Sequence, residues 1–266
     1  MGAWRGAALV LVVGVTLAAH PAIASTAAAP APTIATAIGT VVSANWSGYM
    51  VNAGPRSSTY RAIRGAFIQP AVSRGCQPES DLLTWVGIGG FNQRAKNRTL
   101  IQIGTDADYD IMSGTSYWAW YQYLRTDLRG NQLGGSEKTK LPIRIRPGDA
   151  IVVATSVQPG AGTAAFEVRN LTTGHRASTV QNVPRGFHDG SSAEFVSERT
   201  GGLRLARFGV TAWTDASVQR TDGGWHALGT EAGLTEIRMT SGIRILADPD
   251  PMRSATGFTN RWKGCH

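Results

Sequence analysis

Hydrophobic and polar residues alternate along most of the chain from Val41 onward. Such alternation, or a short apolar run, recurs in eight segments: Ala66–Gln69, Leu82–Ile88, Leu100–Ile103, Tyr117–Tyr123, Ala150–Val157, Ala164–Leu171, Leu203–Trp213 and Ile237–Leu246. A period of two residues is typical of strands that bury one face. Beyond the N-terminal segment, the sequence shows no sustained apolar stripe of helical period. We therefore predict an all-β protein.

Turn-forming sequences separate these segments. Examples are Arg146-Pro-Gly-Asp149, Gln158-Pro-Gly160, Thr172-Thr-Gly174 and Thr221-Asp-Gly-Gly224. Many short antiparallel strands joined by such turns are characteristic of a β-sandwich or a β-barrel. Because no internal repeat or second linker is visible, we predict one β domain over residues 41–266, including a C-terminal tail.

The N-terminus has the pattern of an export signal. One positive charge, Arg5, precedes the apolar stretch from Ala7 to Ala19, and Ala22-Ile-Ala24 fits a cleavage site between small residues. Residues 1–24 are thus predicted to be a signal peptide, and residues 25–40, rich in Ala, Pro and Thr, a linker or short pro-segment. We expect a secreted, monomeric protein that has no membrane association after signal cleavage.

Charge and cysteine content limit the partners and the cellular compartment that we expect for the protein. The chain has 26 Lys and Arg against 18 Asp and Glu, a net charge of +8. Many arginines stand singly between apolar residues, as in Ile143-Arg-Ile-Arg146, which favours a solvated strand face over a phosphate-binding stripe. We therefore expect no nucleic-acid partner. In an oxidising compartment, Cys76 and Cys265 are expected to form a disulfide that attaches the tail to the domain.

The common catalytic signatures are missing from the sequence. It contains no G-x-S-x-G, H-E-x-x-H, C-x-x-C or P-loop motif, and no Asp-Thr/Ser-Gly triplet of an aspartic peptidase. After residue 24, the histidines lie in turn-like or terminal sequence, where a surface position is the simpler interpretation. We expect neither a metal site nor a cofactor.

Six short motifs carry a family resemblance. In chain order they are Asn45-Trp-Ser-Gly48, Trp85-Val-Gly-Ile88, Leu100-Ile-Gln-Ile-Gly104, Ala119-Trp-Tyr-Gln-Tyr123, Asn170-Leu-Thr-Thr-Gly174 and Ser192-Ala-Glu-Phe-Val196. Together they resemble the glutamic peptidases (eqolisins, peptidase family G1), and the chain looks like a bacterial-type member. The resemblance implies a sandwich of two antiparallel sheets, of concanavalin-like or lectin-like architecture, with a substrate cleft on one concave face.

The resemblance also implies a catalytic dyad and a substrate-binding set. The dyad residues match Gln102 and Glu194. The residues expected to bind substrate are Trp46, Trp85, Trp120, Gln122 and Asp106. The implied activity is hydrolysis of peptide bonds in proteins or peptides.

Alternation along the strands is compatible with these roles. Gln102 points away from the apolar residues on either side of it, and Glu194 does the same in its own segment. Trp118, Trp120 and Gln122 share one face. From pattern alone, solvent-facing strand residues are the simpler interpretation of Gln102 and Glu194; the resemblance favours catalysis.

The two residue types suit hydrolysis by an activated water. A glutamate can take a proton from water, and the glutamine amide can donate to the developing oxyanion without titrating. Two family acids are replaced, one by Gly89 and one by Gln122. Their loss should remove like-charge repulsion that would raise the pKa of Glu194.

A non-enzymatic sandwich is the alternative. Trp118, Trp120, Tyr121 and Tyr123 could bind a carbohydrate or cell-wall polymer through their ring faces. Core packing is the simpler interpretation of Tyr121 and Tyr123.

Overall fold

The computed structural model describes residues 39–265, apart from 55–58, 92–96, 128, 130, 185–186 and 202–203. The predicted signal peptide and most of the predicted linker lie outside the described residues. The first strand begins at Gly39, so residues 39 and 40 of that linker are part of the sheet. Within these bounds, no helix is long and apolar enough to cross a membrane.

The described residues form eighteen strands and one short 3-10 turn, Leu228–Thr230. The strands are β1 (Gly39–Ser43), β2 (Trp46–Asn52), β3 (Tyr60–Ile68), β4 (Glu79–Gly89), β5 (Asn97–Asp110), β6 (Gly114–Asp127), β7 (Gln132–Gly135), β8 (Thr139–Arg144), β9 (Ala150–Gln158), β10 (Thr163–Asn170), β11 (His175–Asn182), β12 (Ser192–Glu198), β13 (Arg204–Leu205), β14 (Val210–Arg220), β15 (Trp225–Ala227), β16 (Leu234–Ser241), β17 (Arg244–Pro249) and β18 (Phe258–Trp262). The predicted all-β class is confirmed.

The strands form two layers joined along one side. The first layer runs β1–β16–β2–β12–β4–β5–β6–β8, with β7 also paired to β6. The second runs β15–β14–β3–β9–β10–β11. Strands β17 and β18 connect β16 to β14 and so link the layers. The pairing is antiparallel except for β1–β16 and the short β13–β4 contact, as expected for a sandwich.

The main core lies between the two layers. Its largest contributors are alternate apolar residues of β3, β9 and β10 on one side and of β4, β5 and β6 on the other. Tyr121 is buried there against Phe166, with ring centroids 4.7 Å apart, and Tyr123 contacts the ring of Phe187. Core packing therefore accounts for both tyrosines. Removal of this apolar surface from water is the dominant stabilising contribution.

Two predicted strands are each divided in the structure. Ile237–Leu246 is a hairpin, because Gly242 adopts a left-handed conformation (φ 61°) between β16 and β17. The described part of Leu203–Trp213 contains β13, a connection ending at Gly209 (φ 66°), and the start of β14. The apolar pattern of the sequence has no break at either turn, so the sequence did not predict these turns.

Cys76 and Cys265 form the predicted disulfide, with Cα atoms 5.5 Å apart. The amides of Lys263 and Gly264 both donate to the carbonyl of Leu246, at 2.7 and 3.1 Å. The tail is thus held to β17 by its backbone and to the segment preceding β4 by a covalent bond. Strand β4 is the one that passes through the middle of the site described next.

Candidate active site

Strand register places Glu194 and Gln102 in one row across the first layer. Gly87 on β4 pairs with Glu194 on β12 and with Gln102 on β5. Directly paired residues present their side chains to the same face, and neighbouring strands lie about 4.8 Å apart. The backbones of the two predicted catalytic residues are therefore about 10 Å apart. Only Gly87, which has no side chain, lies between them.

The space above Gly87 is closely bounded. A Cβ atom built on Gly87 would lie 2.8 Å from Cδ1 of Leu100 and 2.8 Å from Cζ3 of Trp85. Both distances are shorter than carbon atoms tolerate without displacement. Only a glycine fits at this position, because Leu100 and Trp85 pack directly over it.

Glu194 is fully buried, and within the described chain neither carboxyl oxygen has a hydrogen-bond partner. Burial raises the pKa of Glu194 well above its usual range, and the charge of Asp189 raises it further, while the nearby Ser192 hydroxyl opposes both. The two replaced acids are therefore not needed to keep this pKa raised. The dominant cause is desolvation, and a different aspartate supplies the like charge.

Gln102 is oriented by a chain of two hydrogen bonds. Its Nε2 donates to Oε1 of Gln122 at 3.0 Å, and Nε2 of Gln122 donates to the Ser136 carbonyl at 3.1 Å. Because a carbonyl can only accept, Gln122 must turn its NH₂ to Ser136 and its oxygen to Gln102. This fixes the amide of Gln102, whose Oε1 is buried with no partner among the described residues.

The predicted tryptophans surround this row. Trp85 and Trp120 lie one same-face step along their strands, on either side of Gly104, and both are fully buried. Trp46 contacts Trp85 edge to face, with centroids 5.0 Å apart. The structure thus brings all three onto the face that carries Glu194, in one apolar cluster.

Glu198, four residues after Glu194 and on the same face, was not predicted from the sequence as a site residue. One carboxyl oxygen accepts from Nε1 of Trp85 and the other from Nδ2 of Asn45, both at 2.8 Å. Burial raises the pKa of Glu198 to about 7, although the indole N–H donors beside its carboxyl lower this pKa. The i, i+4 spacing of two glutamates in one strand was the available signal.

Asp106 is buried on the same face, four residues along β5 from Gln102. Its Oδ2 accepts from Nζ of Lys138 at 2.7 Å, while Oδ1 has no partner within the described chain. Burial raises the pKa of Asp106 to about 7; Lys138 lowers it, and the charges of Asp108 and Asp81 raise it. In the residues described, no group of three or more His, Cys, Asp or Glu side chains has an arrangement that could hold a metal ion.

Comparison with known proteins assigns the chain to a family. The sequence model of the peptidase A4 family matches residues 44–255, well over half of the chain. The chain belongs to the peptidase A4 family. Its members are the glutamic peptidases, or eqolisins, so the chain is a glutamic endopeptidase with peptide substrates. Among curated proteins, no sequence matches this chain.

Solved eqolisins share the fold. Scytalido-glutamic peptidase, in complex with a peptide-based transition-state analogue, is 21% identical, with a TM-score of 0.62 over 83% of this chain and 98% of that one. SCP-B, an eqolisin in complex with the tripeptide Ala-Ile-His, is also 21% identical, with a TM-score of 0.60 over the same shares. At this identity the two structures establish the sandwich architecture alone.

The buried carboxyls predict that the peptidase is more stable at acidic pH. The folded-state pKa values of Asp106 and Glu198 are about 7, against about 4 in an unfolded chain. The folded state therefore binds more protons between these limits, and the free energy of unfolding should fall by a few kcal/mol as pH rises from about 4 to 7. Melting temperatures measured from pH 4 to 8 test this; Glu198→Gln should flatten the decline, and a melting temperature rising over that range would contradict it.

The hydrogen-bond chain predicts that Gln122 orients Gln102. Gln122→Leu removes the acceptor of Nε2, so kcat should fall about fivefold with little change in KM, as expected for about 1 kcal/mol of lost orientation. Gln219→Leu, which removes a glutamine that donates to Gly223 in an exposed hairpin, is the matched control. A Gln122→Leu enzyme with unchanged kcat would show that Gln102 is held by other contacts.

Proposed function

We propose that this eqolisin hydrolyses peptide bonds by means of a water molecule that Glu194 activates and an oxyanion that Gln102 stabilises. The observation that carries the proposal is the row Glu194–Gly87–Gln102, in which two buried polar side chains share one face and the residue between them has no side chain. A buried carboxyl with no partner is costly for folding, which favours a functional reason for its presence.

The reacting water and the scissile carbonyl are proposed to bind between Glu194 and Gln102. Ionised Glu194 takes one proton from the water as its oxygen bonds to the carbonyl carbon. The raised pKa of Glu194 makes it a stronger base and allows it to hold that proton. Glu194 then transfers the proton to the amide nitrogen as the carbon–nitrogen bond breaks, so no net proton is gained or lost by the enzyme.

Gln102 is proposed to serve both the water and the oxyanion. One N–H of its amide is directed to Gln122, and the other is free to donate to the tetrahedral oxygen. Its unpartnered Oε1 can accept from the water before attack. One oxyanion donor contributes roughly 3–4 kcal/mol to lowering the barrier.

The carbohydrate-binding alternative has less support. Tyr121 and Tyr123 pack toward the second layer, and Trp120 is fully buried. Of the four aromatic residues considered, only Trp118 remains partly exposed on the site face. One such ring does not form an extended sugar platform.

Glu194→Gln should abolish peptide hydrolysis while leaving the fold intact, because a carboxamide cannot accept the proton of the water. The expected loss in kcat is about 10²–10⁴-fold or more. The measurement is turnover of a denatured protein substrate by the purified variant, with circular dichroism as the check on folding. Glu79→Gln, an exposed glutamate at the start of β4, is the control. Undiminished turnover by the Glu194→Gln protein would remove this residue from the mechanism.

We also propose that the protein acts outside the cell. The N-terminal pattern and the Cys76–Cys265 bridge support this, because disulfides persist in oxidising compartments. The protein recovered from culture medium should begin at Ser25 or later in its N-terminal sequence. Recovery only from the cytoplasm, with Met1 retained, would contradict export.

A further inference from the structure

Lys138 lies between β7 and β8 and places its ammonium group on the site face. Its Nζ is 2.7 Å from Oδ2 of Asp106 and lies 5.2 and 5.8 Å from the ring centroids of Trp118 and Trp120. One carboxylate and two indole rings therefore surround the cation. A carboxylate and aromatic faces are the groups that proteins use to recognise an ammonium group.

The groups around this ammonium remain if Lys138 is shortened. Asp106 is on β5, and Trp118 and Trp120 are on β6, so all three belong to regular strands of the first layer. The side chain of Lys138 is 28% exposed, whereas that of Asp106 is 2% exposed. The lysine thus follows a path from solvent to a buried carboxylate, and a second lysine could follow the same path.

The site formed by Asp106, Trp118 and Trp120 around the Lys138 ammonium is placed where a substrate side chain can reach it. Asp106 is four residues from Gln102 along β5, a distance of about 13 Å. An extended peptide bound above Gly87 covers that distance with a few residues on one side of the scissile bond. The loop that carries Lys138 also carries Ser136, whose carbonyl holds Gln122.

We propose that Lys138 is a specificity-determining residue: its ammonium fills a cation-binding subsite formed by Asp106, Trp118 and Trp120, and so excludes basic side chains of the substrate from it. The inference rests on the peptidase function proposed above. Exclusion of competing side chains by an occupied site is a common source of specificity. Shortening Lys138 should open the subsite to a substrate lysine with the same chemistry.

The test uses octapeptides that carry a single lysine or a single norleucine at each position in turn. The two residues have side chains of similar length and differ in the ammonium group. With Lys138→Ala, the ratio of kcat/KM for lysine to that for norleucine should rise at least tenfold at one position, relative to the unsubstituted enzyme. Burial raises the pKa of Asp106 to about 7, Lys138 lowers it, and Asp108 and Asp81 raise it. Because removal of Lys138 also removes the group that lowers this pKa, the assay is run at the highest pH at which the unsubstituted enzyme cleaves.

Lys140→Ala is the matched control. Lys140 lies over Trp118 at 4.6 Å, on the neighbouring strand, and no described carboxylate is within ion-pair distance of it. Its removal changes the net charge equally but leaves Lys138 on Asp106. An equal gain in both variants would reveal a long-range charge effect, and no gain in Lys138→Ala would exclude the subsite; either result overturns the proposal.

A second measurement does not depend on catalysis. Propylammonium chloride should raise the melting temperature of Lys138→Ala above its value in an equal concentration of sodium chloride. The same salt should have little effect on Lys140→Ala or on Lys138→Ala/Asp106→Asn, which lacks the carboxylate. Stabilisation of all three variants, or of none, would contradict a cation site at Asp106. If Glu194→Gln remained active while propylammonium still stabilised Lys138→Ala, the mechanism would be wrong and the subsite would stand.

Discussion

The pairing of β4 with both β5 and β12 is the constraint on which the site depends. It brings Gln102 and Glu194, which are 92 residues apart in the sequence, into one row with Gly87 between them. A shift of one residue in either pairing would turn the side chain to the opposite face of the layer. The core between the layers opposes such a shift, because it would expose the apolar residues that alternate with these positions.

Burial on this face explains its electrostatics. Trp85 and Trp120 are fully buried beside the row Glu194–Gly87–Gln102 and exclude water from it. The carboxyls near these two rings therefore cannot be solvated as usual. The pKa values of Glu194, Asp106 and Glu198 are all raised, with desolvation as the largest cause in each. The apolar cluster that helps to fix the site geometry therefore also sets the proton affinity of the proposed base.

The fold class followed from local alternation, and the predicted site residues followed from the family resemblance of short motifs. Alternation within Leu82–Ile88 and Leu100–Ile103 predicted strands and the faces of their side chains, although the strands are longer than these segments. Contacts between distant segments had no such signal. The bond from Gln122 to Ser136 depends on a bulged pairing of β6 with β7, and the placement of Lys138 on Asp106 depends on the loop that follows. Sequence spacing does not determine contacts of this kind.

The two departures from the family pattern have different physical meanings. At Gly89 the backbone is left-handed (φ 85°), and an added Cβ would lie 2.3 Å from the Thr99 carbonyl, so an aspartate does not fit there. Asp189, whose Oδ1 is 3.3 Å from that Cβ position, contributes the like charge near Glu194 instead. Gln122 keeps the acceptor that Gln102 needs but carries no charge. A like charge near Glu194 thus comes from Asp189, in the segment before β12, and Gln122 supplies the acceptor for Gln102 without adding a charge.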